Sequence, residues 1–249
     1  MLKLIKPNWS APSHIKAFST TRLDGKSTGV FQGLNLGLHV DDDPKVVLKN
    51  RSLLSEYLNI PDNFCWLQQT HSTALLKIDG DTKQQVEADA CWSDITKQVC
   101  VVMTADCLPV LMTDKKGSFV AAIHAGWRGL CDGIIEKTLE TICNEVNVKS
   151  TDLLVWLGPC IGPKAFEVGE EVREQFIVHN PLADHAFVPH KDRYLADLHQ
   201  LARLRLAPFN VAEITESEHC TFSQPELFYS YRRDGQTGRM ATFIFIDSL

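Results

Sequence analysis

Two apolar runs joined by a short polar turn constrain the fold of this chain more than any other feature. Residues 108–112 and 119–124 have the composition of buried strands, and residues 114–117 have that of a tight hairpin turn. If the first and last residues of that turn pair, then Cys107 and His124 lie directly opposite each other, with Cβ atoms ~4.5–5.5 Å apart. The hairpin therefore predicts a thiol and an imidazole on one face of a sheet.

Such a pair has several chemical interpretations. Cys107 and His124 could share a metal ion or form a nucleophile and its base, and an isolated Cys or His at a strand end is often only structural. A bulge at Gly117 would shift the register by one residue, and Pro109 donates no ladder hydrogen bond. The residues alone leave these alternatives open.

His71 is a candidate third ligand, because it follows the strand-like run 64–69 at the start of a loop. The ligands would be two nitrogens and one sulfur, which favours zinc over magnesium or calcium. The wide separations in sequence match no zinc finger. Three scattered protein ligands instead suit a catalytic zinc with its fourth position open to water or substrate.

Composition narrows the function classes. The 249 residues carry a net charge of -6, which argues against a general nucleic-acid binder. The eight cysteines include no C-x-x-C pair, the N-terminal residues lack the apolar core of a signal peptide, and no stretch approaches the ~20 apolar residues of a membrane span. We therefore expect free thiols, a cytoplasmic location and no membrane partner.

The pattern of apolar runs predicts an α/β mixed (α+β) fold, with a mixed β-sheet core flanked by helices in a single domain over residues 1–249. Strands are predicted over residues 14–20, 64–69, 74–78, 99–104, 108–112, 119–124, 153–157, 211–214, 227–231 and 240–246. Helices are predicted over residues 44–58, 133–146, 169–178 and 194–206.

The predicted helix 44–58 carries polar residues on its apolar side. At ~100° per residue, Asn50 falls within the apolar stripe and Arg51 at its margin. A half-buried Arg is costly unless it is paired, so Arg51 either reaches out to water or a carboxylate, or binds an anion such as phosphate. Both interpretations remain open from the helix alone.

The glycine-rich segments are candidates for site walls. After His124, the segment 124–129 leads into a predicted helix, so Trp127 could stack on a base and Arg128 could bind phosphate, or both could be structural. The segment 158–163 is a stiff loop after a strand. Asp106 points away from Cys107 on an extended chain, which favours a structural role, and residues 233–239 resemble a hairpin turn.

Taken together, these segments resemble the laccase-domain family, also labelled multicopper polyphenol oxidase-like or peptidoglycan editing factor. The resemblance runs along nearly the whole chain. The matching positions are Asn35, Leu36, His39, Val40, Asn50, Arg51, Gln69, His71, Ala88, Asp89 and Ala90, and the segments 104–110, 124–129, 158–163 and 233–239.

The resemblance implies that His71, Cys107 and His124 bind zinc. It also implies phosphorolysis of adenosine, inosine and S-methyl-5'-thioadenosine, together with adenosine deamination, so the partners would be nucleoside and phosphate. Cys107, His124 and Arg51 then become the catalytic candidates. The substrate-binding candidates are Asn35, Asn50, Gln69, Trp127 and Arg128.

Three rival functions follow from the same residues and labels. A Cys107–His124 hydrolase would act on peptidoglycan precursor dipeptides, a copper-dependent enzyme would oxidise polyphenols, and a structural zinc would leave a binding module. The paired His-x-His motifs of multicopper oxidases are absent from the sequence. The usual zinc-deaminase signature is absent as well. No oligomeric state is predicted.

Overall fold

The computed structural model describes residues 2–60, 63–79 and 85–247. In these ranges the strands, in chain order, are β1 Leu4–Ile5, β2 Ile15–Thr20, β3 Phe64–Trp66, β4 Leu75–Lys77, β5 Ala90–Ser93, β6 Val99–Thr104, β7 Leu108–Asp114, β8 Val120–Ala125, β9 Leu153–Leu157, β10 Glu167–Val168, β11 Phe187–His190, β12 Arg193–Ala196, β13 Glu213–Glu216 and β14 Met240–Ile246. The α-helices there are α1 Pro44–Leu58, α2 Trp127–Cys131, α3 Ile134–Val146, α4 Glu170–His179, α5 Leu198–Leu206 and α6 Tyr231–Asp234.

These strands form mixed sheets, as predicted. Sheet I has the order β1-β2-β14-β6-β3, sheet II the order β13-β9-β7-β8-β5-β4, and the small sheet III the order β10-β12-β11. Parallel pairs such as β3 with β6 occur beside antiparallel pairs such as β7 with β8. Sheets I and II contain β3, β4, β6, β7 and β8, the strands that hold or flank His71, Cys107 and His124 in the chain.

Sheets I and II pack face to face, and helices cover their outer faces. In β7, Leu111 packs towards sheet I with Ile244, whereas Val110 packs towards the helices with Ile135 and Leu201. On the outer face of sheet I, Leu54 of α1 joins the cluster of sheet residues. Because both faces of the central strands are covered, β6, β7 and β8 are apolar almost throughout rather than alternating.

The hairpin register differs from the predicted one. Pro109, not Cys107, lies directly opposite His124 in the β7–β8 ladder. The predicted register is therefore wrong by two residues. Because side chains alternate with a period of two, this offset leaves Cys107 and His124 on the same side of the sheet.

The length of the turn explains the offset. The Gly117 N–H donates to the Asp114 carbonyl oxygen at 2.9 Å, and the Ser118 N–H donates to the Asp114 carboxylate at 2.6 Å. These bonds hold a longer loop, so β8 begins only at Val120. A side-chain acceptor in the turn thus shifts the ladder that the turn sequence alone suggested.

Other elements also correct the sequence-based predictions. The predicted helix 194–206 begins only at Leu198, after the strand β12, because Asp197 caps it by accepting the Gln200 N–H. The predicted strand 227–231 is irregular up to Ser230. The short helix α6 then spans the last residue of that predicted strand and the first two residues of the predicted hairpin turn 233–239. Among the described residues, no helix is both long and apolar enough to cross a membrane.

Candidate metal centre and its cavity

The candidate ligands lie on three separate segments of the chain at one edge of the packed sheets. His71 lies on the connection from β3 in sheet I to β4 in sheet II, and Cys107 on the connection from β6 in sheet I to β7 in sheet II. His124 lies near the end of β8, next to the loop that enters α2. Packing of the two sheets therefore brings together residues that are far apart in sequence.

The three side chains form a compact donor set. One ligand atom from each of His71, Cys107 and His124 lies within 4.8 Å of the other two. Cys107 Sγ is 3.9 Å from His71 Nε2, and the two imidazole rings are 4.9 Å apart at their centroids. Tetrahedral zinc with bonds of ~2.0 and ~2.3 Å would separate sulfur and nitrogen by roughly 3.5 Å. A small inward movement of the side chains is enough to meet that geometry.

Asp89 organises two of these ligands from behind. This fully buried carboxylate pairs with His124 Nδ1 at 2.8 Å and accepts the backbone N–H of His71 at 3.0 Å. It also accepts the backbone N–H groups of Thr70 and Ser72. Because Nδ1 of His124 is engaged, Nε2 is the ring nitrogen that remains for a metal. A carboxylate behind a ligating histidine is the usual outer support of a metal site.

Gly126 makes room for the cluster. A Cβ atom at this position would lie 2.9 Å from His71 Cδ2 and 3.3 Å from Cys107 Sγ. The backbone there has an ordinary φ of -60°, so glycine is needed for space rather than for conformation. The glycine thus lets the connection after β8 run directly against both side chains.

Mutual attraction determines the charges of the pair. Burial would raise the pKa of the Cys107 thiol, but the charge and hydrogen bond of His124, assisted by His71, lower it to about 6. Burial would lower the pKa of His124, but the Cys107 thiolate and Asp89 raise it to about 9. Hydrogen bonds from His124 and Ser72 outweigh burial and hold the pKa of Asp89 well below its usual range. The metal-free site therefore holds a thiolate beside an imidazolium.

Asp106 shapes the connection that carries Cys107. Its φ of 101° lies in the left-handed region, where a residue other than glycine needs support from its surroundings. Its carboxylate accepts from the Thr221 hydroxyl at 2.7 Å, the Ser230 hydroxyl at 3.0 Å and the Arg232 N–H at 2.7 Å. The structural role predicted for Asp106 is confirmed, since it fixes the turn immediately before Cys107.

The candidate ligands open into a cavity of about 370 Å³. Its lining residues are His39, Gln69, His71, Met103, Thr104, Ala105, Cys107, His124, Tyr231 and Arg239. A second cavity of about 420 Å³ shares His39, Gln69 and Met103 with the first and adds Arg51 and Trp66. Pockets of this size accept small organic ligands.

His39 and Arg239 are cavity residues that the sequence assigned no role. His39 belongs to both cavities, and burial lowers its pKa to about 4, with further lowering by the charges of Arg239, Arg51 and His124. Arg239 donates to two backbone carbonyl oxygens, those of Thr237 and Gly238. Both residues lay within the family motifs, but no local pattern distinguished them from turn residues.

The catalytic candidate Arg51 and the substrate-binding candidate Gln69 both line cavity walls. Arg51 is 9% exposed, donates from Nε and Nη2 to the Leu36 carbonyl oxygen, and lies 3.7 Å above the Trp66 ring. The Gln69 amide exchanges two hydrogen bonds with the backbone of Met103, at 2.7 and 2.8 Å. Both side chains are thus held in place, Gln69 in the cavity of the candidate ligands and Arg51 in the adjoining one.

The other substrate-binding candidates lie elsewhere. Asn35 and Asn50 are fully buried and hold the loops before α1: Asn35 bonds the backbone of Gly37 and Arg239, and Asn50 bonds the backbone of Lys26 and Asn35. Among the described residues, the cavity beside the candidate ligands includes neither amide.

Trp127 and Arg128 also lie outside that cavity lining. Trp127 packs at the margin of the core between sheet II and the helices, and the Arg128 guanidinium lies 4.4 Å from its ring. They belong to α2, which is five residues long.

The donor set fits a single zinc ion. In the described part of the chain, His71, Cys107 and His124 are the one group of three or more His, Cys, Asp or Glu side chains close enough to hold a metal. Two imidazole nitrogens and one thiolate, with a carboxylate behind, are typical of zinc. All three side chains line the cavity described above.

The chain is similar over nearly its whole length to several known proteins. A protein of Escherichia coli named purine nucleoside phosphorylase YfiH is 47% identical over 246 residues, covering 99% of this chain and 100% of the relative. One from Haemophilus influenzae, named purine nucleoside phosphorylase, is 46% identical over 249 residues, covering 99% and 100%. A crystal structure of a Neisseria meningitidis protein superposes with a TM-score of 0.93 at 41% identity, covering 98% of this chain and 99% of that one.

The crystal structure of YlmD from Geobacillus stearothermophilus superposes with a TM-score of 0.85 at 30% identity, covering 95% of this chain and 93% of that one. The family profile described as multi-copper polyphenol oxidoreductase laccase matches residues 16–247. The chain therefore belongs to this multi-copper polyphenol oxidoreductase laccase family.

Proposed function

We propose that this protein is a zinc-dependent purine nucleoside phosphorylase that acts on adenosine, inosine and S-methyl-5'-thioadenosine and also deaminates adenosine. The observation that carries the proposal is the donor set of His71, Cys107 and His124, which opens into a ligand-sized cavity with cationic walls. The printed names of the full-length relatives support the phosphorylase part. The deaminase part rests on the family resemblance.

In this proposal His71 and His124 hold the zinc through imidazole nitrogens and Cys107 holds it through its thiolate. Bound zinc supplies Lewis-acid chemistry, which includes activating water at neutral pH. Asp89 holds the Nδ1 proton of His124 in place, so Nε2 is the nitrogen that would give up its proton and ligate the metal. Cys107 is already a thiolate at neutral pH because of its lowered pKa. Metal binding therefore displaces little further proton from the Cys107 sulfur.

Phosphorolysis also needs an anion site beside the ribose. Arg51 and Arg239 line the two adjoining cavities, and His39 lies in the walls of both. Guanidinium groups match the geometry of phosphate oxygens, and burial strengthens their attraction for an anion. We infer that phosphate binds near these groups and that the nucleoside occupies the remaining space next to the candidate ligands.

The test is turnover of adenosine and inosine, with and without phosphate, by protein of measured metal content. Base and ribose phosphate should form only when phosphate is present, and inosine should form from adenosine in its absence. His71→Ala should lose zinc and both activities, whereas Cys143→Ala, on the outer helix α3, should keep them. Failure of zinc-loaded wild type to turn over either nucleoside would overturn the proposal and leave a structural zinc. Activity restored by copper alone, with oxidation of phenols, would favour the polyphenol oxidase.

A second function is favoured by one specific observation. Cys107, His124 and Asp89 follow one another as thiolate, imidazolium and carboxylate, which is the order of a nucleophile, its base and the group that orients the base. A hydrolase of peptidoglycan precursor dipeptides would use this arrangement without a metal. Chelation distinguishes the two functions: the hydrolase keeps its activity after zinc removal and loses it on alkylation of Cys107.

We also infer a cytoplasmic location. All eight cysteines are free thiols in the structure, and a reducing compartment keeps them in that state. Export of the chain in cells that express it, measured by fractionation, would contradict this inference.

A further inference from the structure

Two cysteines lie side by side outside the candidate metal centre. Cys160 and Cys220 form an isolated parallel β-bridge, and the Thr221 N–H donates to the Cys160 carbonyl oxygen at 3.0 Å. Bridge partners project to the same side, and adjacent strands lie ~4.7–4.9 Å apart. That spacing falls within the Cα separation of ~4.4–6.8 Å that disulfides adopt. Both residues are free thiols in this structure.

Cys220 is surrounded by hydrogen-bond donors. The Gly162 N–H points at its sulfur from 3.2 Å. Burial would raise the pKa of this thiol, but hydrogen bonds from Ser223, Gly162 and Phe222 lower it. Cys220 is also partly exposed. A partly exposed sulfur held among N–H and O–H donors is a favourable position for a thiolate.

Cys160 has the opposite character. It is 3% exposed, its sulfur lies 3.5 Å from His199 Nε2, and burial raises its pKa well above the ordinary value. Cys220 thus has the character of an accessible thiolate, and Cys160 has that of a shielded thiol. Cys143 on α3 provides a comparison, because it is also partly exposed but burial raises its pKa.

From this geometry we propose that Cys220 is a peroxide-reactive thiolate and that Cys160 resolves its oxidised form as a Cys160–Cys220 disulfide. This modification site is separate from the metal centre and does not depend on the nucleoside chemistry. In the first step, the Cys220 sulfur attacks one oxygen of hydrogen peroxide. The O–O bond breaks, an S–O bond forms, and the departing hydroxide takes a proton to become water.

In the second step, the Cys160 sulfur attacks the sulfenic sulfur of Cys220. The S–S bond forms as the S–O bond breaks, and the departing hydroxide takes the Cys160 proton and leaves as water. Two electrons pass from the thiols to the peroxide, which ends as two molecules of water. A thiol reductant reverses the disulfide by exchange.

The test uses the zinc-loaded full-length protein, in which Cys107 is occupied by the metal. N-ethylmaleimide at pH 7 should label Cys220 faster than Cys143, because the pKa of Cys220 is lowered and that of Cys143 is raised, so Cys220 has the larger thiolate fraction. After brief treatment with hydrogen peroxide and blocking of the remaining thiols, peptide mass spectrometry should find the Cys160 and Cys220 peptides linked, and Cys143 should remain blocked as a thiol.

Two variants separate the steps. In Cys160→Ser, dimedone should trap a sulfenic acid on Cys220, and in Cys220→Ser no linked peptide should form and Cys160 should stay reduced. Equal labelling of Cys220 and Cys143 in the wild type would refute the reactive thiolate without any variant. Oxidation of Cys220 that ends in sulfinic acid, with no linked peptide in the wild type, would refute the role of Cys160.

Discussion

Replacing Asp89 by Asn tests whether this carboxylate builds the metal centre. The substitution keeps the shape of the side chain and changes one oxygen into an NH₂ group. If the NH₂ takes the Oδ2 position, the N–H groups of Thr70 and Ser72 lose their acceptor. If it takes the Oδ1 position, the His71 N–H loses its acceptor, and His124 must accept at Nδ1 and carry its proton on Nε2. That tautomer cannot ligate a metal through Nε2.

The magnitudes follow from the lost contacts. A buried donor left without a partner costs ~1–3 kcal/mol, so Asp89→Asn should lower the free energy of unfolding of the metal-free protein by about 2–4 kcal/mol. Loss of the carboxylate behind a ligating histidine typically weakens metal binding ~10–100-fold. Urea unfolding of the metal-free protein measures the first effect. Competition with a chromogenic chelator measures the second.

Asp114→Asn is the matched control. Asp114 is also a buried carboxylate of sheet II, 2% exposed, but it lies in the hairpin turn at the other end of β7. Its substitution keeps an oxygen that can accept the Ser118 N–H but removes the charge that strengthens this bond, so it should destabilise the fold only slightly and leave zinc affinity unchanged. The reasoning fails if Asp89→Asn binds zinc as tightly as the wild type, or if Asp114→Asn weakens zinc as much.

Three further predictions concern the same site. Gly126→Ala should weaken zinc binding at least ~10-fold with little loss of secondary structure by circular dichroism, because the new Cβ would press against His71 and Cys107. Unchanged zinc affinity would contradict this close approach. In metal-free protein the alkylation rate of Cys107 should rise through pH 6 and level off above about pH 7, because its lowered pKa of about 6 means that the reactive thiolate is formed by that pH. A midpoint near pH 9 would refute the pairing with His124. Arg51→Lys should raise the KM for phosphate and lower the free energy of unfolding by ~1–2 kcal/mol, because lysine loses the forked contact with the Leu36 carbonyl oxygen. An unchanged KM would show that Arg51 does not belong to the anion site.

The elements that sequence patterns predicted well are those whose limits are set locally. The helix 44–58 was predicted at its observed bounds because Asp43 caps its start, Pro44 suits its first turn, and Asn59 ends it in the left-handed conformation. The strands β6, β7 and β8 were evident because they are buried on both faces. By contrast, β12 was read as part of a helix because its pairing with β10 and β11 is not visible in its own sequence.

The candidate site was predictable only in part. Cys107 and His124 belong to one hairpin, so the alternation of side chains placed them on one face even though the register was wrong by two residues. His71 was a candidate only because it follows a strand-like run, and the family resemblance then distinguished it from the other eight histidines. Asp89 and His39 were quoted only as motif residues, because no spacing in the sequence relates them to the ligands.

Site residues that are far apart in sequence were hard to predict for a structural reason, and the same reason affects stability. His71 and Cys107 lie on two connections that cross from sheet I to sheet II, and Asp89 precedes β5 in sheet II while bonding the first of those connections. No short segment of the chain can assemble this donor set, so it exists only when the sheets are packed. A metal that binds the folded site must then stabilise that packing, by about 2.7 kcal/mol when free zinc is at 100 times its dissociation constant. Stripping zinc should therefore lower the unfolding midpoint of the whole two-sheet core rather than loosen a local loop, because the ligands tie the two sheets together at the edge where their connections meet.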